Sequence, residues 1–302
     1  MGVFIQTESN NFKLRVHSPA KVNLLLSVHG RRSDGFHELT SLVAALKFGD
    51  ELNLELGDQA DVLECSDPAV PTGAENLVLK AAEAFRSRLG RAVYFKFNLE
   101  KRIPVGAGLG GGSGNAASAL LGMNQLLGGP LSRQTLCEVA AELGSDCPFF
   151  IEGRPAWMFG RGETIEPLDD ALAEKLLGTP VVLFKPDFSI NTAWAYEYLA
   201  KKMPQLYRPE AVNTGIVEEM IQNGVLKNVL SNTFEASVGN KYLALPTLLE
   251  QLRDSGVVCL MSGSGSCCFA LPEDKNMPVA QIKSVVQDAW GKSVFWVETF
   301  IC

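Results

Sequence analysis

Eleven consecutive residues, Pro104-Val-Gly-Ala-Gly-Leu-Gly-Gly-Gly-Ser-Gly114, contain six glycines and one hydroxyl. Glycine lets backbone approach an anion closely and adopt dihedrals that other residues resist. A small-residue, helix-compatible run, Asn115 to Leu127, follows. A helix starting there adds unpaired N–H groups and the positive end of its dipole. The chemistry is that of a phosphate cradle, with Ser113 as a further donor or a contact to magnesium. A flexible linker is the alternative, but linkers have polar flanks. Here an alternating, strand-like segment precedes the loop and an alanine-rich segment follows it.

The loop fits none of three familiar nucleotide patterns. Gly106, Gly108 and Gly111 satisfy G-x-G-x-x-G, a weak signal unless it opens directly from a buried parallel strand. Lys101-Arg-Ile-Pro104 intervenes, and no strand ending in an acid follows at about 20 residues, where a ribose contact would need one. Gly112-Ser-Gly114 lacks the lysine of a P-loop, and the H-R-D and D-F-G signatures of protein kinases are absent.

Other residues invite chemistry, and each has a plainer reading. Lys21, in a Val- and Leu-rich segment, could be a surface lysine with its stem along apolar neighbours. Asp146, in Gly144-Ser-Asp-Cys-Pro148, could be a turn or helix cap. Phe36 and Tyr196 could be packing aromatics, and Lys101 a solvated charge at a strand end. Ser262-Gly-Ser-Gly-Ser266 would pass for a hairpin turn.

The elements that must position these residues follow from pattern. Strands are expected at Leu14–Val16 and Val22–Val28, around a Ser-Pro break, with a turn at Ser33-Asp-Gly35. Alternation predicts strands over Asp50–Leu56 and Val93–Leu99, the latter with Val93, Phe95, Phe97 and Leu99 on one face. Helical spacing covers Asn76–Leu89, ended by Gly90, and Leu131–Leu143, ended by Gly144. Phe149–Met158 and Val181–Phe184 read as strands, and the acidic stretch Glu166–Glu174 as a domain boundary. The second half predicts helices near Ala193–Lys202, Ile216–Gln222, Leu243–Ser255 and Val279–Trp290. Strands are expected there at Val257–Met261, Cys267–Leu271 and Ser293–Thr299, a split βαβ order.

Composition bounds the rest. With 302 residues, 46% hydrophobic and 20% charged, two soluble domains are expected. The net charge of −7 argues against a nucleic-acid partner, which needs a basic surface. Seven cysteines without C-x-x-C spacing read as reduced, largely buried thiols with no structural zinc. Three scattered histidines make no histidine-rich metal site. Met1 to Phe12 is polar and does not read as a secretory signal. No stretch approaches the ~20 apolar residues that span a bilayer, so no membrane partner is expected.

The loop, together with Ser18-Pro-Ala-Lys-Val-Asn-Leu24 and Met261-Ser-Gly-Ser-Gly-Ser266 in the same order, resembles the galactokinase, homoserine kinase and mevalonate kinase family, the GHMP kinases. Arg32-Ser-Asp-Gly-Phe-His37, Glu75-Asn-Leu77, Lys101-Arg-Ile-Pro104 and Gly144-Ser-Asp-Cys-Pro-Phe-Phe150 resemble the branch of that family that acts on a cytidine diphosphate-linked methylerythritol. The chain departs from that branch at Gly114, where a second serine is usual.

The resemblance implies an α+β, two-domain GHMP-kinase fold. Residues 1–167 would form a ribosomal-protein-S5-domain-2-like domain with the phosphate loop. Residues 168–302 would form a ferredoxin-like split βαβ domain closing a substrate cleft. It implies ATP-dependent phosphorylation of the substrate's 2-hydroxyl in the methylerythritol phosphate route to isoprenoid precursors, with Mg2+ accompanying ATP and no metal ligands assigned.

By the same resemblance Asp146 is the catalytic base and Lys21 its charge partner. Asn76, Lys101 and Pro104, Val105, Gly106, Ala107, Gly108, Leu109, Gly110, Gly111, Gly112, Ser113 and Gly114 bind ATP. Asn23, Phe36, His37, Thr192, Tyr196, Ser264 and Gly265 bind substrate, with Tyr196 stacking on the base. Another GHMP kinase of homoserine or mevalonate type, or an inactive ligand sensor on the same fold, are the alternatives. A monomer or weak homodimer in a bacterial cytoplasm, or in a plastid stroma after removal of a transit peptide, suits the composition.

Overall fold

A computed structural model describes residues 5–7, 13–208, 211–272 and 277–302. Most of the polar amino-terminal segment lies outside them. Contacts group the chain into two units, each assembled from separated segments. The first takes the chain up to Ala20, Phe48–Val105 and Gly110–Arg154. The second takes Lys21–Lys47, Gly106–Leu109 and Pro155–Cys302.

Strand β1 (Ile5–Thr7) pairs antiparallel with the start of β2 (Lys13–Arg31). The Ser18-Pro19 step, expected to separate two strands, lies inside the single strand β2. It faces Gly49 of β3 (His37–Gly57), where an added Cβ would stand 2.3 Å from the Ser18 carbonyl oxygen. Bare backbone on the partner therefore accommodates the proline. β3 begins well before the expected Asp50. Its residues Leu39 and Thr40 to Leu46 are all buried, so that half shows no alternation from which a half-buried strand could be read.

The first unit continues with β4 (Val62–Cys65), α1 (Leu77–Leu89), β5 (Tyr94–Glu100), α2 (Gly111–Leu126), α3 (Arg133–Leu143) and α4 (Cys147–Glu152). β5 pairs antiparallel with Glu51–Gly57 of β3 and parallel with β4. Phe95, Phe97 and Leu99 are buried, on the one face that alternation predicts. Asn76 caps α1 by accepting from the Val78 amide, and Gly90 closes it in the left-handed region. α2 starts at Gly111, inside the glycine loop and ahead of the expected Asn115.

The strand expected over Phe149–Met158 is a correction: its first part is helix α4. Pro148 sits in the first turn and Gly153 terminates it at φ +63°. Every residue from Cys147 to Ile151 is buried. A short run buried all round carries no period that separates strand from helix.

In the second unit, β6 (Ala156–Gly160) pairs with Leu39–Val43 of β3, and β7 (Thr164–Pro167) pairs with β6. Then follow α5 (Asp170–Leu176), β8 (Pro180–Lys185), α6 (Thr192–Lys202), α7 (Thr214–Gln222), β9 (Ser231–Asn232), α8 (Thr233–Gly239), α9 (Ala244–Asp254), β10 (Val258–Met261), β11 (Cys268–Leu271), α10 (Val279–Trp290) and β12 (Phe295–Phe300). The acidic stretch Glu166–Glu174 folds into the end of β7 and most of α5, whose Leu172, Ala173 and Leu176 are buried.

The sheet order β10-β11-β8-β12, antiparallel throughout, is the split βαβ arrangement. Its core joins Val182, Phe184, Leu248, Leu252, Ile282 and Val286 with Leu26, Val28 and Leu39, which come from the early strands.

Candidate functional site

In the first unit, chemistry gathers where α2 and α4 begin. Gly110 holds the N-cap of α2 at φ +71°, with no side chain to cap it. The first turn, Gly111 to Ser113, thus presents helix-end N–H groups, two of them on residues with no side chain, the arrangement that binds anions; the Gly114 amide already donates to the Gly110 carbonyl at 2.8 Å. Just before the loop, the Asp50 carboxylate accepts from the amides of Arg102 (2.7 Å) and Ile103 (2.8 Å) and pairs with Lys101 Nζ. Both members of the pair are buried, at 7% and 0% side-chain exposure, so Lys101 is no solvated strand-end charge. A Cβ at Gly111 would come within 3.0 Å of Lys101 Nζ; glycine keeps the ammonium beside the first turn.

Ser113 hydrogen-bonds the Cys147 thiol, whose pKa burial pushes up to about 12. That contact ties the start of α2 to the start of α4, next to Asp146. Asp146 occupies the N-cap position of α4, half-buried, and its side chain makes no cap hydrogen bond. Asp146 thus holds the cap position, within the turn closed by Cys147 N–H on the Gly144 carbonyl (3.1 Å), without using its carboxylate as the cap. Asn76 caps α1, its carboxamide engaged with the Val78 amide (2.9 Å) and the Pro71 carbonyl (2.6 Å), and the side chain of its neighbour Leu77 comes within 3.7 Å of the Cβ position of Gly112. At Gly114 a Cβ would stand 3.0 Å from the Pro19 carbonyl and 3.2 Å from Ser18 Oγ. Ser18 itself donates to Asn115 Oδ1 at 2.8 Å.

In the second unit, Gly106 and Gly108 are left-handed, at φ +65° and +77°. The carbonyls of three successive loop residues are held by named donors. Cys267 N–H donates to Ala107 (3.1 Å), Ser262 Oγ to Gly108 (3.1 Å) and Lys21 N–H to Leu109 (3.0 Å). A Cβ at Gly108 would meet the Ser262 carbonyl oxygen at 2.3 Å. The second glycine–serine turn thus packs directly on the first loop, and is more than a hairpin connection.

Lys21 is buried, flanked along β2 by fully buried Ala20 and Val22, which rules out a snorkelling surface lysine. Its Nζ donates to Asn23 Oδ1 (2.6 Å), Asn23 Nδ2 to Ser41 Oγ (2.8 Å), and Ser41 Oγ to the Leu25 carbonyl (2.6 Å). Asn23 therefore orients the lysine. Ser41 and Asp50 were not among the residues read from sequence, because a single serine or aspartate within a strand carries no motif.

The Arg32–Phe36 turn is closed by Asp34, whose carboxylate accepts the Phe36 amide at 3.0 Å. It presents Phe36 half-exposed, at 49%, with the Arg161 guanidinium 4.8 Å from its ring centroid; Phe36 is not core. The His37 ring lies 4.8 Å from that of Tyr196, and His37 Nε2 is 3.0 Å from the Tyr207 hydroxyl. Burial, then Arg31, lowers the His37 pKa, which favours the neutral imidazole. Tyr207 follows α6 in an irregular segment and was not foreseen. Thr192 Oγ1 and Ser264 Oγ are 2.8 Å apart, which joins the start of α6 to the second turn. Gly265 is left-handed at φ +82°.

No described helix is long and apolar enough to cross a membrane. Among the described residues no group of three His, Cys, Asp or Glu could hold a metal ion.

Comparison with known proteins bears on this arrangement. The GHMP kinases N terminal domain model matches residues 76–154, and the GHMP kinases C terminal model residues 215–292. The chain is 37% identical over 267 residues to 4-diphosphocytidyl-2-C-methyl-D-erythritol kinase of Protochlamydia amoebophila, covering 88% of this chain and 87% of that one. It is 34% identical over 277 residues to the chloroplastic enzyme of the same name from Arabidopsis thaliana, covering 90% of this chain and 70% of that one. A crystal structure of 4-(cytidine 5'-diphospho)-2C-methyl-D-erythritol kinase superposes with a TM-score of 0.74 at 32% identity, covering 95% of this chain and 99% of that one.

Proposed function

The chain belongs to the GHMP kinases, and we propose that it phosphorylates the 2-hydroxyl of 4-diphosphocytidyl-2-C-methyl-D-erythritol with ATP, in the methylerythritol phosphate route to isoprenoid precursors. The observation that carries the choice of substrate is the aromatic group formed by half-exposed Phe36 and the His37–Tyr196 contact. Aromatic faces hold a nucleobase, and a neutral imidazole can read its edge. Homoserine and mevalonate have no base to hold.

Phosphoryl transfer asks the protein for alignment and charge stabilisation more than for covalent chemistry. In this reading the glycine loop, Pro104 to Gly114, holds the phosphates of ATP. Its backbone is fixed at Ala107, Gly108 and Leu109, and its glycines admit close approach. Magnesium bound with the nucleotide would neutralise phosphate charge, and the Ser113 hydroxyl is the group of the loop that could contact it. Lys101, held by Asp50 beside Gly111, adds positive charge at the same helix end. Asn76 and Lys101 lie toward the adenosine.

Asp146 accepts the proton of the attacking hydroxyl, a role open to a carboxylate that does not cap its own helix. Lys21, oriented by Asn23, stabilises the negative charge that develops on the acceptor and the transferred group. Phe36, His37 and Tyr196 hold the cytidine, with Thr192, Ser264 and Gly265 contributing polar contacts. An inactive sensor would have no use for both Lys21 and Asp146. A bacterial cytoplasm or a plastid stroma suits the reading, with the chain acting as a monomer or weak homodimer.

An ADP-release assay across a panel of alcohols tests the assignment. ADP should form with the cytidylyl substrate and not with mevalonate, homoserine or galactose. Turnover of mevalonate without turnover of the cytidylyl alcohol would reassign the enzyme within its family.

A further inference from the structure

Asn232 and Glu235 sit far along the chain from both glycine loops, yet every polar atom of their side chains is directed at a defined partner. Asn232 caps α8, its Oδ1 accepting from the Phe234 amide at 2.9 Å. Its Nδ2 donates to two carbonyls of the second turn, Met261 (2.7 Å) and Gly263 (2.8 Å). Glu235 follows three residues later, the spacing of a capping box, in which the glutamate turns back to the cap's own amide. Here its Oε2 accepts the Met261 amide (3.1 Å), and its Oε1 pairs with Arg253 Nη1 (2.7 Å). Arg253 also donates to the Cys259 carbonyl, from Nη2 at 2.9 Å. Met261 is thus gripped at both its N–H and its C=O.

The same short segment is fastened to the strand that carries Lys21. Ser231 and Asn232 pair with Leu25 and Leu26 of β2. Thr233 Oγ1 accepts from the Val28 amide (3.1 Å) and donates to the Leu26 carbonyl (3.3 Å). Beyond Met261, Ser262 Oγ holds Gly108, and Cys267 N–H holds Ala107. One continuous set of hydrogen bonds therefore runs from β2 through Ser231–Glu235 and the second turn to the first glycine loop.

We propose that Asn232 and Glu235 are positioning residues for phosphoryl transfer, which set the Met261–Gly263 backbone so that Ser262 and Cys267 hold Gly108 and Ala107 in place. The proposal rests on the reading of Gly106–Leu109 as part of the ATP loop. A misplacement of about 1 Å by a residue remote from the chemistry can cost on the order of a hundredfold in rate.

Asn232→Ser keeps an oxygen to cap α8 and removes both N–H donors. In the full-length protein its kcat should fall at least tenfold, with KM for the cytidylyl substrate within twofold of wild type. Amide hydrogen exchange of Gly265 and Cys267, measured on peptides across the second turn, should accelerate at least tenfold. Glu235→Gln retains an acceptor for the Met261 amide and should keep at least half of kcat, whereas Glu235→Leu should behave as Asn232→Ser. Asn213→Ala, which removes the corresponding cap of α7, should lower thermal stability and leave kcat and the exchange of the turn unchanged.

Wild-type kcat and wild-type exchange in both Asn232→Ser and Glu235→Leu would overturn the proposal, as would Asn213→Ala reproducing their loss of kcat. If the wild-type protein does not turn over the cytidylyl alcohol, the substrate assignment falls. The exchange measurement then decides the proposal by itself.

Discussion

Asp146 stands at the head of α4 without making the cap hydrogen bond, next to the Ser113–Cys147 contact. As the base it must carry a negative charge; for helix capping an amide would serve equally well. Asp146→Asn separates the two. The variant should bind an ATP analogue within about threefold of wild type, while kcat falls by roughly 10²–10⁴. Single-turnover phosphoryl transfer checks this, and a kcat near wild type would remove Asp146 from the mechanism. At this scale the sequence revealed residues through motifs: Lys21 and Asp146 were legible because their neighbours resemble a family. Asn23 was legible as a site residue but not as the group that orients Lys21, since its partner Ser41 lies on another strand. Asp50 stayed hidden for the same reason, its three partners being 51 to 53 residues away.

The loop and turn elements owe their shape to where side chains are missing. Gly108 is left-handed and faces the Ser262 carbonyl, with no room for a methyl group. Gly90 is also left-handed, at φ +65°, but nothing lies within 4 Å of its Cβ position. Gly90→Ala should therefore cost about 1 kcal/mol of stability through its dihedral alone, with kcat unchanged. Gly108→Ala carries the same dihedral cost and must also push two backbone segments apart. We expect kcat/KM for ATP to fall at least a hundredfold, which steady-state kinetics on the pair would show. Elements with local punctuation, such as α1 between Asn76 and Gly90, could be read from the chain. α4 and the first half of β3 could not, because burial on all sides erases the polar–apolar rhythm by which a strand or a helix is recognised.

At the scale of the molecule, neither unit is a contiguous piece of chain. The sheet and helices that end the sequence share one core with Leu26, Val28 and Leu39. A fragment comprising residues 168–302 would lack those three side chains and the Gly106–Leu109 segment that Ser262 and Cys267 hold. Each buried aliphatic side chain contributes about 1.5–3 kcal/mol, and a whole domain is stable by only about 5–15 kcal/mol. The fragment should not fold by itself: its near-ultraviolet circular dichroism should be flat, and its thermal scan should lack a cooperative transition. A sharp transition would show that the late half is autonomous.

The interleaving also orders events in time. Leu26, Val28 and Leu39 leave the ribosome long before Leu248, Ile282 and Val286, beside which they are buried. At about 5–20 residues per second, the wait is on the order of ten to fifty seconds. For that interval the nascent chain carries apolar strands whose final neighbours have not yet been synthesised, and transiently exposed apolar surface of this kind is prone to aggregate.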